Sequence, residues 1–155
     1  MTNNEILRRL RYVFDYSDAQ MIAIFGHSNC EVSRAEVCNL LKSDEDAELQ
    51  ICSDLYLGSF LDGLIIEKRG RKEGVQPEPE KVINRNVVFR KLKIALDLQS
   101  EAVLEILSLV GFELSKHELS AFFRKPGHKH YRECKEQVLR YFLQGLQVKL
   151  RGNAD

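Results

Sequence analysis

Leu57-Gly58-Ser59-Phe60-Leu61-Asp62-Gly63-Leu64-Ile65-Ile66-Glu67-Lys68-Arg69-Gly70 returns 82 residues later, without a gap, as Leu139-Arg140-Tyr141-Phe142-Leu143-Gln144-Gly145-Leu146-Gln147-Val148-Lys149-Leu150-Arg151-Gly152. In the first copy Leu57, Phe60, Leu61 and Leu64 have the i, i+3, i+4, i+7 spacing of a buried helical stripe, and Leu139, Phe142, Leu143 and Leu146 repeat it. Each copy keeps a glycine inside the helix, Gly63 and Gly145, at a cost of about 1 kcal/mol relative to alanine. A backbone must therefore press close at that point, and the paired long helices are expected at or next to the junction of the two copies. Each copy ends in Arg-Gly, with a cation near the negative helix end and a glycine suited to a left-handed cap.

The same offset holds from Asn4 to Gly152, where 16 of 67 positions are identical with no insertion. Among them are Asn4/Asn86, Arg8/Arg90, Asp15/Asp97, Ile24/Ile106, Ser33/Ser115, Glu36/Glu118 and Cys52/Cys134. The chain is thus a tandem duplication, and each copy reads as four helices. The first helix is expected to begin at Asn4 or Asn86, whose side chain caps the orphan amides. The second starts near Ser17-Asp18 or Ser100 and stops around Gly26 or Gly111. The third opens on Ser33-x-x-Glu36 or Ser115-x-x-Glu118, the pattern of a capping box. A polar connector follows, and then the long fourth helix.

Residues 71–85 join the copies; Gly74, Pro77 and Pro79 rule out a helix core there. The fold class expected is all-α: helical repeat 1 over residues 1–70, a linker over 71–85, and helical repeat 2 over 86–152. Each four-helix unit is short of the size that folds comfortably alone, so the two are expected to share one core.

With 155 residues, 44% hydrophobic and 30% charged, the composition is that of a folded globular protein. No apolar run approaches the roughly 18 residues of a spanning helix, and the start Met1-Thr2-Asn3-Asn4 has no signal-peptide pattern, so no membrane partner and a cytoplasmic location are expected. Cys30, Cys38, Cys52 and Cys134 show no Cys-x-x-Cys spacing and read as reduced thiols. The zero net charge conceals a polarity: residues 1–70 carry 7 Lys/Arg against 12 Asp/Glu, and residues 86–155 carry 12 against 8.

Over essentially its whole length the chain resembles the YehS-like bacterial family, domain of unknown function 1456. The resemblance is carried by Asn4-Glu5-Ile6-Leu7-Arg8, by Ser59 to Ile65 with Glu67 to Gly70, by Ile83-Asn84-Arg85-Asn86 with Arg90 to Ala95, and by His128-Lys129 with Arg132-Glu133-Cys134. Gly127 departs from the acidic residue expected before the histidine, which counts against a carboxylate–histidine pair there. The resemblance implies two repeats in a cytosolic bacterial protein and brings no activity with it.

The candidate binding residues are cations. Arg8, Arg9 and Arg11 on the first helix, and Arg90, Lys91 and Lys93 on its counterpart, suit phosphate contact, against the plainer reading of a solvated, locally paired helix face. The connectors differ in sign. Lys42 to Ser53 holds one cation against Asp44, Glu45, Asp46 and Glu48, whereas Arg124, Lys125, Lys129, Arg132 and Lys135 face only Glu133 in the second copy. His128 and Tyr131 lie in that basic connector, and Pro126-Gly127 makes it a turn. A helix-turn-helix reading through Gly111 to Lys116, His117 and Ser120 is weaker than a plain helical hairpin.

His128, His130, Cys134 and His117 have no standard metal spacing, and the surrounding lysines and arginines oppose a cation, so neither a metal nor any other cofactor is expected. Cys134 lies near the histidines, but its counterpart Cys52 has none, so a buried thiol is the simpler account and no catalytic residue is assigned. The function expected is a non-catalytic helical interaction module with a protein partner or self-association; the alternative is a nucleic-acid binder using the basic faces of the second repeat.

Overall fold

The computed structural model describes residues 1–74 and 79–153; residues 75–78, with Pro77 of the expected linker, lie outside the described residues. The chain is all-α: among the described residues eight helices are formed and no strand. They are α1 (Asn3–Phe14), α2 (Asp18–His27), α3 (Arg34–Leu40), α4 (Asp54–Arg69), α5 (Arg85–Ala95), α6 (Ser100–Ser108), α7 (Lys116–Phe122) and α8 (Glu136–Arg151). The offset of 82 carries α3 onto α7 and α4 onto α8 residue for residue. The chain divides into two compact units, Met1–Ile83 and Asn84–Asp155.

Local chemistry explains where the helices start. Ser33 and Ser115 form full capping boxes with Glu36 and Glu118, each hydroxyl accepting from the N3 amide while the carboxylate accepts from the cap amide. Ser17 does the same with Gln20 at α2. The first helices start differently from the expectation. Thr2 caps α1 and Asn84 caps α5, two equivalent positions filled by different residues, while Asn4 and Asn86 lie inside their helices with their side chains buried.

Two turns also differ from the expected ones. Gly26 lies within α2 and ends nothing; the left-handed position after α2 is Asn29, with φ 62°, and its counterpart is Gly111, with φ 75°. Asparagine tolerates that region through local hydrogen bonding, so two residue types serve one turn. Asp15 and Asp97, with φ 55° and 52°, share the same role after α1 and α5. Of the two Arg-Gly ends, Gly152 takes the left-handed conformation, whereas Gly70 has positive φ but an extended ψ of 166°.

Each unit is built on one helix crossing. The α4 stripe Leu57, Phe60, Leu61 and Leu64 is fully buried and packs chiefly on α2, with the Phe25 and Phe60 rings edge to face at 5.2 Å. The α8 stripe packs chiefly on α6, and Phe142 meets Phe89 of α5 at 4.6 Å. The close approach demanded by the glycines lies at these crossings, inside each unit. A Cβ on Gly63 would land on the carbonyl oxygen of Ile24, 2.8 Å from its carbonyl carbon; one on Gly145 would land on the carbonyl oxygen of Ile106, 2.7 Å from its Cγ2. This accounts for the paired identities Ile24/Ile106 and Gly63/Gly145. At the end of the first unit, Ile83 is buried over Gly58, and its amide donates to Asp54 Oδ2 at 3.1 Å.

Gly63→Ala and Gly145→Ala should each lower the urea midpoint, by roughly 1–3 kcal/mol of overpacking, despite the better helix propensity of alanine. Gly26→Ala, where a Cβ meets nothing within 4 Å, should stabilise by up to about 1 kcal/mol. Equal stability of the three variants would contradict the crossing geometry.

Candidate functional site

The connector between the third and fourth helices carries the sequence-predicted cations, and its shape comes from one buried amide. Asn4 Nδ2 donates to the carbonyls of Leu40, at 2.9 Å, and Gln50, at 2.8 Å, while its Oδ1 accepts from the Cys52 amide at 2.9 Å. Asn86 makes the same three bonds to Phe122, at 3.1 Å, Arg132, at 2.8 Å, and Cys134, at 2.9 Å. A backbone bond closes each connector, Gln50 to Asn39 and Arg132 to Ala121. The repeated Asn and Cys were visible in sequence as identities 48 residues apart in both copies, but an asparagine near a helix start reads as a cap there.

On this common frame the two connectors behave differently. In the first unit Arg8 donates to the Lys42 carbonyl at 2.8 Å and pairs with Asp44 at 3.1 Å, and Lys42 pairs with Glu48 at 3.2 Å. Arg9 pairs with Glu5 at 3.4 Å and Arg11 with Asp18 at 2.9 Å. The three arginines of α1 are therefore engaged with acids of their own unit. In the second unit Arg124, Lys125, His128, Lys129, Arg132 and Lys135 are all exposed and brought together by the clasped loop. Arg132 donates to the carbonyls of Tyr131, at 2.8 Å, and Lys129, at 3.4 Å, and to no carboxylate. Among the described residues Arg124, Lys125, Lys129 and Lys135 have no side-chain partner. Lys93 on α5 lies 5.4 Å from the Phe123 ring centroid, and Arg90 and Lys91 are half-buried on the same helix.

Three histidines adjoin this loop. The His128 and His130 rings are 5.5 Å apart, the His130 and His117 rings 6.2 Å, and His128 Nδ1 accepts from the His130 amide at 3.0 Å. Among the described residues no group of three or more His, Cys, Asp or Glu is arranged to hold a metal ion. Cys52 and Cys134 are buried and not poised for nucleophilic attack. Burial pushes the Cys134 thiol up to about 11 against the lowering effect of Arg85, and it pushes Cys52 up to about 12 with Asp54 adding to the rise.

Two outcomes follow. Asn86→Ala orphans two carbonyls and an amide at roughly 1–3 kcal/mol each, so it should unfold the second unit at lower urea and expose the Cys134 amide to hydrogen exchange. Cys38, which is exposed, should react with a thiol reagent in the folded protein, and Cys52 and Cys134 only on unfolding. Because folding raises both buried thiol pKa values above the ordinary 9.0, their contribution to stability is complete below pH 9 and is lost as pH rises towards 11 and 12.

Comparison with known proteins finds two matches along the chain. A family model described as "Protein of unknown function (DUF1456)" matches twice, over residues 3–70 and 85–152. The chain is 40% identical over 150 residues, 96% of each chain, to the "Uncharacterized protein YehS" of Escherichia coli (strain K12). No solved structure matches. No described helix is long and apolar enough to cross a membrane. Two matches of one family model, falling on the two copies of one clasped four-helix unit, establish that the chain belongs to the DUF1456 family.

Proposed function

We propose that this protein is a non-catalytic, cytoplasmic bacterial interaction module that holds an anionic partner on the connector of its second repeat. The observation that carries the reading is the contrast between two connectors on one frame. The acidic connector is folded onto its own Arg8 and Lys42, whereas no cation of the basic connector meets a carboxylate among the described residues. A loop clasped by Asn86, with five cations that meet no carboxylate among the described residues, favours an anion.

The same contrast bears on which of two anions fits. A head-to-tail contact would ask the acidic connector of another molecule to fill the site, but its Asp44 and Glu48 are already paired, which leaves Glu45 and Asp46 as the acids to offer. An anion foreign to the chain is the better complement. Nucleic acid is the second reading, favoured by the interleaving of cations with the flat rings of Tyr131, His128 and His130.

Retention on immobilised heparin should fall steeply as salt rises, and Lys125→Glu with Lys129→Glu should abolish it without changing the urea midpoint. Adding Arg132→Glu should leave nothing further to lose. No retention of the parent at low salt overturns the docking reading. Oligomers on size exclusion at low salt that dissociate in the charge-reversed variant would restore the head-to-tail contact. Displacement by single-stranded DNA but not by a polyglutamate of equal charge would select nucleic acid.

A further inference from the structure

The four histidines of the chain are divided unequally. His27 in the first unit carries its own counterion, with Nε2 2.9 Å from Glu67 Oε1. The other three cluster beside the basic connector, and no ring nitrogen among them meets a carboxylate among the described residues. His128 and His130 occupy the positions that Asp46 and Glu48 occupy in the first repeat, and His117 that of Ala35. Where the first repeat has Asp46, which accepts from the Glu48 amide, and Glu48, which pairs with Lys42, the second has placed groups that ordinarily change charge between pH 5 and 8.

We propose that His117, His128 and His130 form a proton-gated part of the anion site, so that a polyanion binds tightly when the three rings are charged and is released when they are neutral. This inference rests on the docking surface proposed above and assigns its regulation. Protonation adds two positive charges to a connector whose net charge is already +4 and a third to α7 beside it. Three neighbouring cations beside five others repel one another, and an anion seated among them removes that repulsion, so binding takes up protons. His128 has a structural part in this. Its Nδ1 accepts from the His130 amide and so bears no proton; on charging, that nitrogen becomes a donor and must exchange the backbone amide for an acceptor, which a bound anion supplies.

The acids around the cluster are mostly committed elsewhere. On α7, Glu118 caps its own helix through Ser115, and those bonds hold its carboxyl below the usual range, with His117 a lesser influence. Glu101 on α6 is held by Lys116 at 2.7 Å, Glu113 accepts from Ser108 at 3.1 Å, and Glu136 on α8 lies 3.7 Å from Arg140. Glu105 on α6 and Glu133 in the loop are exposed acids without a partner among the described residues. On the adjoining α5 the charged groups Arg90, Lys91 and Lys93 are cations. The balance around the three rings is positive, as anion-coupled protonation requires.

The test is the binding of a fluorescein-labelled heparin oligosaccharide, whose sulfates keep their charge throughout, at about pH 5.5 and about pH 8 and constant ionic strength. The parent should bind about tenfold or more tightly at the lower pH, an amount within the reach of one to three linked protons. The triple variant His117→Gln, His128→Gln, His130→Gln should bind at both values as the parent does at about pH 8. Replacing the same three by arginine should bind at about pH 8 as the parent does at about 5.5. His27→Gln should keep the parent's dependence. Equal parental affinity at the two values, or a dependence that survives in the glutamine variant, overturns the gating and leaves the docking loop standing. Failure of the parent to bind at either pH overturns both.

Discussion

One buried side-chain amide in each repeat carries the geometry on which everything else rests. Asn4 and Asn86 spend both N–H groups and the carbonyl oxygen on three backbone groups, one at the end of the third helix and two in the connector, so the segment between the third and fourth helices is fastened to the first. Such a bond set is costly to disturb, since loss of one residue leaves three buried polar groups without partners. It is also indifferent to the side chains of the connector, because every partner is backbone. The frame can therefore remain while the charge upon it reverses.

The second fixed point is the crossing of α2 with α4, and of α6 with α8. A glycine at each crossing lets the two backbones approach until the isoleucine carbonyl occupies the place a Cβ would take. With the crossing and the clasp set, the third helix is positioned by its capping box and by burial of Val37 and Leu40, or of Leu119. Duplication then supplied two such frames in one chain. The first folds its acidic connector back on its own arginine and lysine, and the second leaves five cations and three imidazoles at the surface.

Helix count, order and duplication were legible because they are written in local rules. A 3.6-residue apolar period and a Ser-x-x-Glu pair depend only on neighbours in the chain. The basic connector was legible as a charge pattern for the same reason. The roles of single polar residues were not. Asn4 near a helix start has the look of a cap, and only the fold places its amide against carbonyls 36 and 46 residues away. Gly26 looks like a stop signal and is an exposed residue within α2, while Asn29 makes the turn that Gly111 makes in the other copy.

The sequence by itself determined an all-α chain of two equivalent four-helix units with connectors of opposite charge, because amphipathic period, capping and net charge are properties of short stretches. Tertiary structure decided which of those charges are satisfied. Arg8 and Lys129 are both cations in basic stretches, and nothing local distinguishes them. Long-range packing sets a carboxylate against the first and leaves the second facing water, because Coulomb attraction acts through distance in space and not through separation along the chain. The same packing gathers His117 with His128 and His130, more than ten residues apart in sequence, into one cluster.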